Sequence, residues 1–443
     1  MRIQLSDHFT YRRLLKFVFP TIVMMIVTSI YGIVDGLFVS NVAGKNAFAA
    51  VNLIMPFLMA LSAFGFMMGT GGSALVSRTL GEGDRDRANR YFSMLVIVTA
   101  VVGVCLTIIG FIFMRQIAGL LGATPLILED CVCYGRTVIF AGAFYMLQNA
   151  FQSFFVTAEK PKLGLLVSVA SGLCNMVLDF LMVYVFRMGV FGAALATAIS
   201  QVIGAGIPLV YFLRENDSLL RLGPAKVELR PLGQACLNGS SEMMSDLSMS
   251  FVGMLYNFQL MRYAAEDGVA AYGVIMYVCM IFISFFFGYS IGCGPIVGYH
   301  YGARNTQELK NIFRKSLVLT AVAGCAMMAA ALIFARPLAQ VFVGYDAGLM
   351  AMTVHGLRLY SLSFLICGFN VFGSAFFTAL SNGPLSALIA FLRTLVFESA
   401  AVMLLPMVLG MDGIWLAIVA AESATLVVTA SLLAANRHRY HYA

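Results

Sequence analysis

"FVFPTIVMMIVTSIYGIVDGLFVSN", residues Phe17 to Asn41, is apolar, small or aromatic almost throughout, and its one residue charged at neutral pH is Asp35. An α-helix rises 1.5 Å per residue, so a run of this length crosses roughly 30 Å of hydrocarbon. A helix also satisfies its backbone polar groups internally, which a chain surrounded by lipid requires. At such depth a carboxylate costs about 2.5–3.5 kcal/mol on insertion scales and therefore needs a partner or a task.

The rest of the 443-residue chain repeats the pattern: 60% of residues are hydrophobic, 11% are charged, and the mean hydropathy is +0.89. That is more apolar surface than one soluble core hides, so the chain is expected to be an all-α integral membrane protein embedded in a lipid bilayer. Apolar runs between charge clusters give twelve expected spans: 14–40, 48–76, 92–114, 136–157, 163–186, 190–213, 233–262, 269–298, 314–335, 355–380, 385–409 and 413–435. If the chain starts in the cytoplasm, 20 of its 28 Lys and Arg residues, Arg2 among them, fall on the inner side, which places both termini there. The net charge of +7 then reports orientation, and no nucleic-acid partner is expected.

The longest polar connection, "RENDSLLRLGPAKVELRPLGQ" from Arg214, lies near the midpoint. It divides the chain into an N-lobe (1–213), a cytoplasmic linker (214–232) and a C-lobe (233–443). At one fixed offset Gly32 falls on Gly253, Gly81 on Gly302, Thr157-Ala158 on Thr378-Ala379 and Gly192 on Gly413, all without an insertion. Six spans per half give both copies one orientation, so a pseudo-two-fold axis along the membrane normal should relate them.

One oxygen cluster stands out. In "LCNMVLDFLMVY", Asn175 and Asp179 lie at positions i and i+4 on one helical face. With Asp35 and Thr197 they sit about 10 Å below the expected outer surface. Carboxylate, amide and hydroxyl oxygens suit a hard monovalent cation such as Na+, while neighbouring acids can carry H+ instead. In the second copy the equivalent positions are Tyr256, Val396, Ala400 and Ile418, so only the first half carries the cluster.

Other features point away from alternative chemistries. The nine cysteines are odd in number and scattered, and Cys131 and Cys133 lack the companions of a zinc site, so no metal beyond Na+ is expected. The glycine-rich "GTGGSAL" has no following Gly-Lys-Ser/Thr, so ATP-driven pumping is unsupported. No catalytic triad is legible and the chain is not expected to be an enzyme or to need a cofactor. Glu242 and Asp246 are expected in the first turns of the seventh helix, and Arg393 to pair with Glu398 or Glu422.

The Asp of "IVDGLFVSN", the loop "GTGGSALVSRTLGEGDRDRANRYF", the "NMVLDF" helix followed by "GVFGAALATAISQ", and "FFTALSNGP" together resemble the multidrug and toxic compound extrusion (MATE) family, most of all its bacterial MepA-type branch. The resemblance covers essentially the whole chain. It implies two six-helix lobes around a central cavity, in a bacterial inner membrane, exporting small-molecule drugs as a monomer against inflow of H+ or Na+. It matches the cation site to Asp35, Asn175, Asp179 and Thr197, the bend of helix 1 to Pro20, and the substrate cavity to Gln148, Asn149, Gln152, Met276 and Met280. The working acids that some members carry in helices 7 and 10 have no match here. Alternatives on a related fold are a flippase or an exporter of a lipid-linked or endogenous metabolite; a channel or sensor is a more distant one.

Overall fold

The computed structural model describes residues 3–38, 45–344 and 346–442. Arg2 and the end of the first expected span, 39–40, lie outside the described residues. Among the described residues the chain is helical and has no strand. The first helices are α1 (Tyr11–Phe38), α2 (Lys45–Gly81) and α3 (Arg85–Leu120). Next come α4, broken at Ala141 into Leu128–Phe140 and Gly142–Thr157, and α5, which runs Pro161–Asp179 and continues as π-helix through Phe180–Val185. Helix α6 spans Gly189–Leu213.

The 74 residues Leu229–Gly302 are helical apart from a break at Ala265, and they are too many for a single crossing. The chain turns back at Ala265, whose φ of 50° and ψ of −141° are foreign to a helix. Tyr256 and Tyr272 prove the reversal: their rings stack 4.7 Å apart, whereas a straight helix would separate them by about 24 Å. The two arms are α7 (229–264) and α8 (266–302). Then follow α9 (Thr306–Val343) and α10, bent by 48° between Ala347–Ser361 and Phe364–Ala379. Helix α11 joins Gly383–Ala390, π-helical Phe391–Glu398 and Ser399–Leu404, and α12 is Met411–Tyr440. Nine helices among the described residues are long and apolar enough to span a membrane, and the bent α10 makes ten. The reversal at Ala265 and the broken α4 complete twelve.

The repeat is written into the backbone. Asp84 and Asn305 are partners at the offset that puts Gly81 on Gly302, and they cap α3 and α9 by accepting from the N–H of Arg87 and Glu308. The residues before them, Gly83 and Arg304, share positive φ (87° and 55°). Gly189 and Gly410 share it too, at 58° and 60°. The offset nevertheless does not hold throughout. The positive-φ turn at Glu159 is answered by one at Ser381 rather than at Leu380, so α5 and α11 slip by a single position before the register returns. Their π-helical turns, of six and eight residues, are where such an insertion is absorbed. Asp179 therefore matches Ala400 or Ala401, neither of which has a side-chain oxygen.

The halves meet through reciprocal close contacts. A Cβ at Gly81 would collide with the Tyr299 carbonyl, and one at Gly302 with the Arg78 carbonyl; Arg78 and Tyr299 are themselves repeat partners. Gly298 packs on its own repeat partner, Ser77. A self-facing position flanked by exchanged contacts is the mark of a two-fold axis. Lipid tails are as apolar as these helices, so packing of small residues, rather than exclusion of water, holds the seam.

Helices α1 and α7 each serve both lobes. Near the basic end α1 packs on α8, with Gly288 against Thr21 and Ile22, and further along it packs on α5, with Gly172 against Tyr31. Helix α7 does the converse: Gly239 touches Met67 of α2, while Val252, Tyr256 and Leu260 enter the core of the second lobe.

At the basic end the segment before α1 straps the lobes together. Leu5 N–H donates to Glu159 Oε1 (2.7 Å) at the end of α4, and Phe9 N–H to Glu308 Oε1 (2.8 Å) at the start of α9. Leu5 and Phe9 are fully buried. The connection 214–228 lies against α3 of the first lobe, with Arg85 Nη2 donating to the Ser218 carbonyl (2.8 Å) and Arg221 N–H to Asn89 Oδ1 (2.9 Å).

Candidate functional site

Two features lie inside the bundle. The first is where α1 meets α5 near the end opposite the strap. There the carboxyls of Asp35 and Asp179 face each other within hydrogen-bonding reach, a contact that closes when one of them carries a proton. Asp179 is fully buried, and neither of its oxygens, nor Asp35 Oδ1, is met by an N–H or hydroxyl donor among the described residues. The π-helix begins at the residue after Asp179, a place where a bulge re-aims side chains.

Asn175, one turn away on α5, is buried with its Nδ2 unpartnered. Thr197 on α6 donates its hydroxyl to the Ala193 carbonyl (3.0 Å), which leaves its lone pairs to accept or ligate. Tyr134, buried in the first half of α4, lies within electrostatic reach of both acids. Sequence reading missed Tyr134, because a tyrosine in an apolar span looks like packing. Pro20 sits inside α1 among its contacts with α8, between Val18 against Gly292 and Thr21 with Ile22 against Gly288, and a proline there removes one backbone bond.

The second feature is a cavity between the lobes, with about 700 Å3 of empty volume including its open mouth. Helices α2, α4, α7, α8, α10 and α11 supply its wall. Gln148, Asn149, Gln152, Met276 and Met280 are not among its lining residues. Gln148 donates to Ser171 Oγ (3.3 Å) and Asn149 to Ser62 Oγ (2.9 Å) within the first lobe, and Gln152 is buried with its Oε1 unpartnered. Met276 packs against the core of the second lobe, and Met280 is exposed.

Charged residues in the second lobe are arranged around Glu422. Arg393 donates to its Oε1 and Asn370 to its Oε2, each at 2.7 Å. Thr429 Oγ1 donates in turn to Asn370 Oδ1 (2.9 Å). Glu398, the alternative partner for Arg393, lies by Tyr256 at the end of the π-helical segment. Glu242 is not in the first turns of its helix: α7 begins at Leu229, several turns earlier, so the helix end does not account for this acid. Asp246 lies one turn further in. The sequence placed the helix start too late because its first turns are polar.

The family model described as MatE matches residues 20–181 and again residues 243–401. One matched segment falls in each half, as the repeat requires. The chain is 24% identical over 409 residues to the multidrug export protein MepA of Staphylococcus saprophyticus, covering 91% of this chain and 88% of that one. It is 22% identical to the MepA of Staphylococcus aureus strain MRSA252, over 93% and 91% of the two chains. Among solved structures it superimposes with a TM-score of 0.92 on a MATE crystal structure in complex with MaL6, at 23% identity over 98% and 97% of the chains. The same score relates it to an outward-facing multidrug resistance MATE transporter of the MOP superfamily, at 23% identity over 99% and 98%.

Proposed function

The chain belongs to the MatE family, and on that premise we propose that it exports cationic or amphiphilic compounds by alternating access, coupled to inward flow of H+ or Na+. In this reading the basic end faces the cytoplasm of a bacterium, both termini lie there, and the monomer works without a cofactor.

The observation that carries the coupling is the Asp35–Asp179 pair. Two buried carboxylates side by side, with no cationic partner, cost several kcal/mol if both are ionised. A proton on one of them, or a Na+ between them, removes that cost. Hard oxygens on Asp35, Asp179, Asn175 and Thr197 suit a small monovalent ion. Helix α1 supplies the mechanical link: it bears Asp35 near one end, packs on α8 of the other lobe through Thr21 and Ile22, and has Pro20 beside that contact. An ion that binds one position of α1 better than another shifts the population of lobe arrangements by that difference in affinity.

The test is efflux from proteoliposomes under separately imposed Na+ and pH gradients. Export driven by either gradient supports the proposal. Export indifferent to both gradients, or unchanged in the protein carrying Asp35→Asn and Asp179→Asn together, overturns it.

A further inference from the structure

The cavity between the lobes has a composition that specifies more than "cation". Eight of its lining side chains are serines or threonines, and one ring, Phe287, faces it. Two of these hydroxyls, Ser153 on α4 and Ser290 on α8, belong to residues only 2% and 6% exposed, and their Oγ atoms have no partner among the described residues. Buried polar atoms are rarely left unpaired, and such a group in a cavity wall is served by whatever fills the cavity. Two lining residues carry charge. Arg393 is already neutralised by Glu422, whereas Glu242 makes no hydrogen bond or ion pair among the described residues.

We propose that this cavity binds a hydrophilic ammonium ion bearing several hydroxyl or amino groups, held by Glu242 through its charge and by Ser153 and Ser290 through hydrogen bonds. The proposal rests on the export reading and narrows its substrate class. A lipophilic cation without hydrogen-bonding groups draws on aromatic faces, each worth on the order of 0.5–2 kcal/mol, and this wall offers one, Phe287. It would also leave both free hydroxyls without partners. A site built to hydrogen-bond a ligand discriminates strongly against an analogue lacking those groups. An aminocyclitol satisfies both demands, with its ammonium on Glu242 and its ring hydroxyls on the serines.

The experiment measures binding of 2-deoxystreptamine and of tetraphenylphosphonium to the purified full-length protein in nanodiscs, by calorimetry, with efflux of each from proteoliposomes. The expected result is that Glu242→Gln weakens 2-deoxystreptamine at least about tenfold, the loss of one charge-assisted hydrogen bond. Glu242→Asp restores part of it. Ser153→Ala with Ser290→Ala weakens the aminocyclitol several-fold and leaves tetraphenylphosphonium within twofold. The serine pair guards against misfolding of the Glu242 variant, because each change removes a single oxygen. Tighter binding of tetraphenylphosphonium than of 2-deoxystreptamine, or aminocyclitol binding indifferent to both sets of substitutions, overturns the proposal. If tetraphenylphosphonium is exported and 2-deoxystreptamine ignored, this site assignment fails while the export reading stands. Specific binding of the aminocyclitol without export of either compound does the reverse.

Discussion

Arg393 and Glu422 form an ion pair in the middle of the second lobe, 2.7 Å from Nη2 to Oε1, with the carboxylate side chain 1% exposed. Asn370 occupies the other oxygen, so the charge is both paired and hydrogen-bonded. At the positions equivalent to Glu422 and Asn370 the first lobe has Gln201 and Asn149, a neutral pair in the same places. Breaking a buried pair is costlier than replacing it, because one charge is left alone. Glu422→Gln should therefore destabilise the protein by about 3–5 kcal/mol. Arg393→Met with Glu422→Met should recover most of that loss. Thermal unfolding in a fixed detergent, by tyrosine and tryptophan fluorescence, compares the three.

The two acids of the first lobe should behave as one unit. Each carboxyl senses the other, so Asp35→Asn or Asp179→Asn alone already dissolves the pair. Gradient-driven efflux should fall to near background in either single variant, and the double variant should be no worse. Independent roles would instead give losses that multiply, as for sites that do not touch.

The seam between α2 and α8 tolerates no side chain at its glycines. Gly302→Val would press on the Arg78 carbonyl and Gly81→Val on that of Tyr299, and overpacking of this kind costs about 1–3 kcal/mol. The strain is relieved when the lobes part at the basic end. In a cysteine-free background, Ser77→Cys should react with a soluble maleimide about tenfold faster when Gly302→Val is present, as a shift of about 1.4 kcal/mol implies. Unchanged labelling would mean that the seam absorbs the valine without opening.

The strap offers a second lever on the same end. Replacing Glu159 and Glu308 by Ala removes the acceptors for the N–H groups of Leu5 and Phe9. Limited proteolysis should then cut within residues 3–10 markedly faster than in the native protein. Either single substitution should have a smaller effect, because the other anchor remains.

The architecture was legible because membrane helices need uninterrupted apolar runs, and such runs in a single sequence are hard to mistake. What the runs hide is their ends. Polar first turns such as "LRPLGQ" at the start of α7, and the basic turns that start α3, continue a helix beyond the hydrocarbon, where periodicity no longer marks it. That is why Glu242 was placed near a helix start when it lies well inside. Asp35 and Asp179 were readable because a charge in an apolar span is conspicuous. Tyr134, Ser153 and Ser290 were not, because a hydroxyl looks alike whether it bonds its own helix or faces a cavity. The slip between α5 and α11 was invisible for another reason: π-helical turns absorb it without changing composition.

The polar connection 214–228 joins two halves whose reciprocal glycine contacts resemble those of a symmetric dimer. On the alternating-access reading the contact opens in every cycle, and halves made as separate chains would then drift apart at low abundance. A short covalent tether holds the effective concentration of one half near the other at about the millimolar level, whatever the amount of protein in the membrane. The seam can therefore be built from a few glycines and remain poised between closure and release. The tether itself rests on the first lobe, through Arg85 on the Ser218 carbonyl and Arg221 on Asn89.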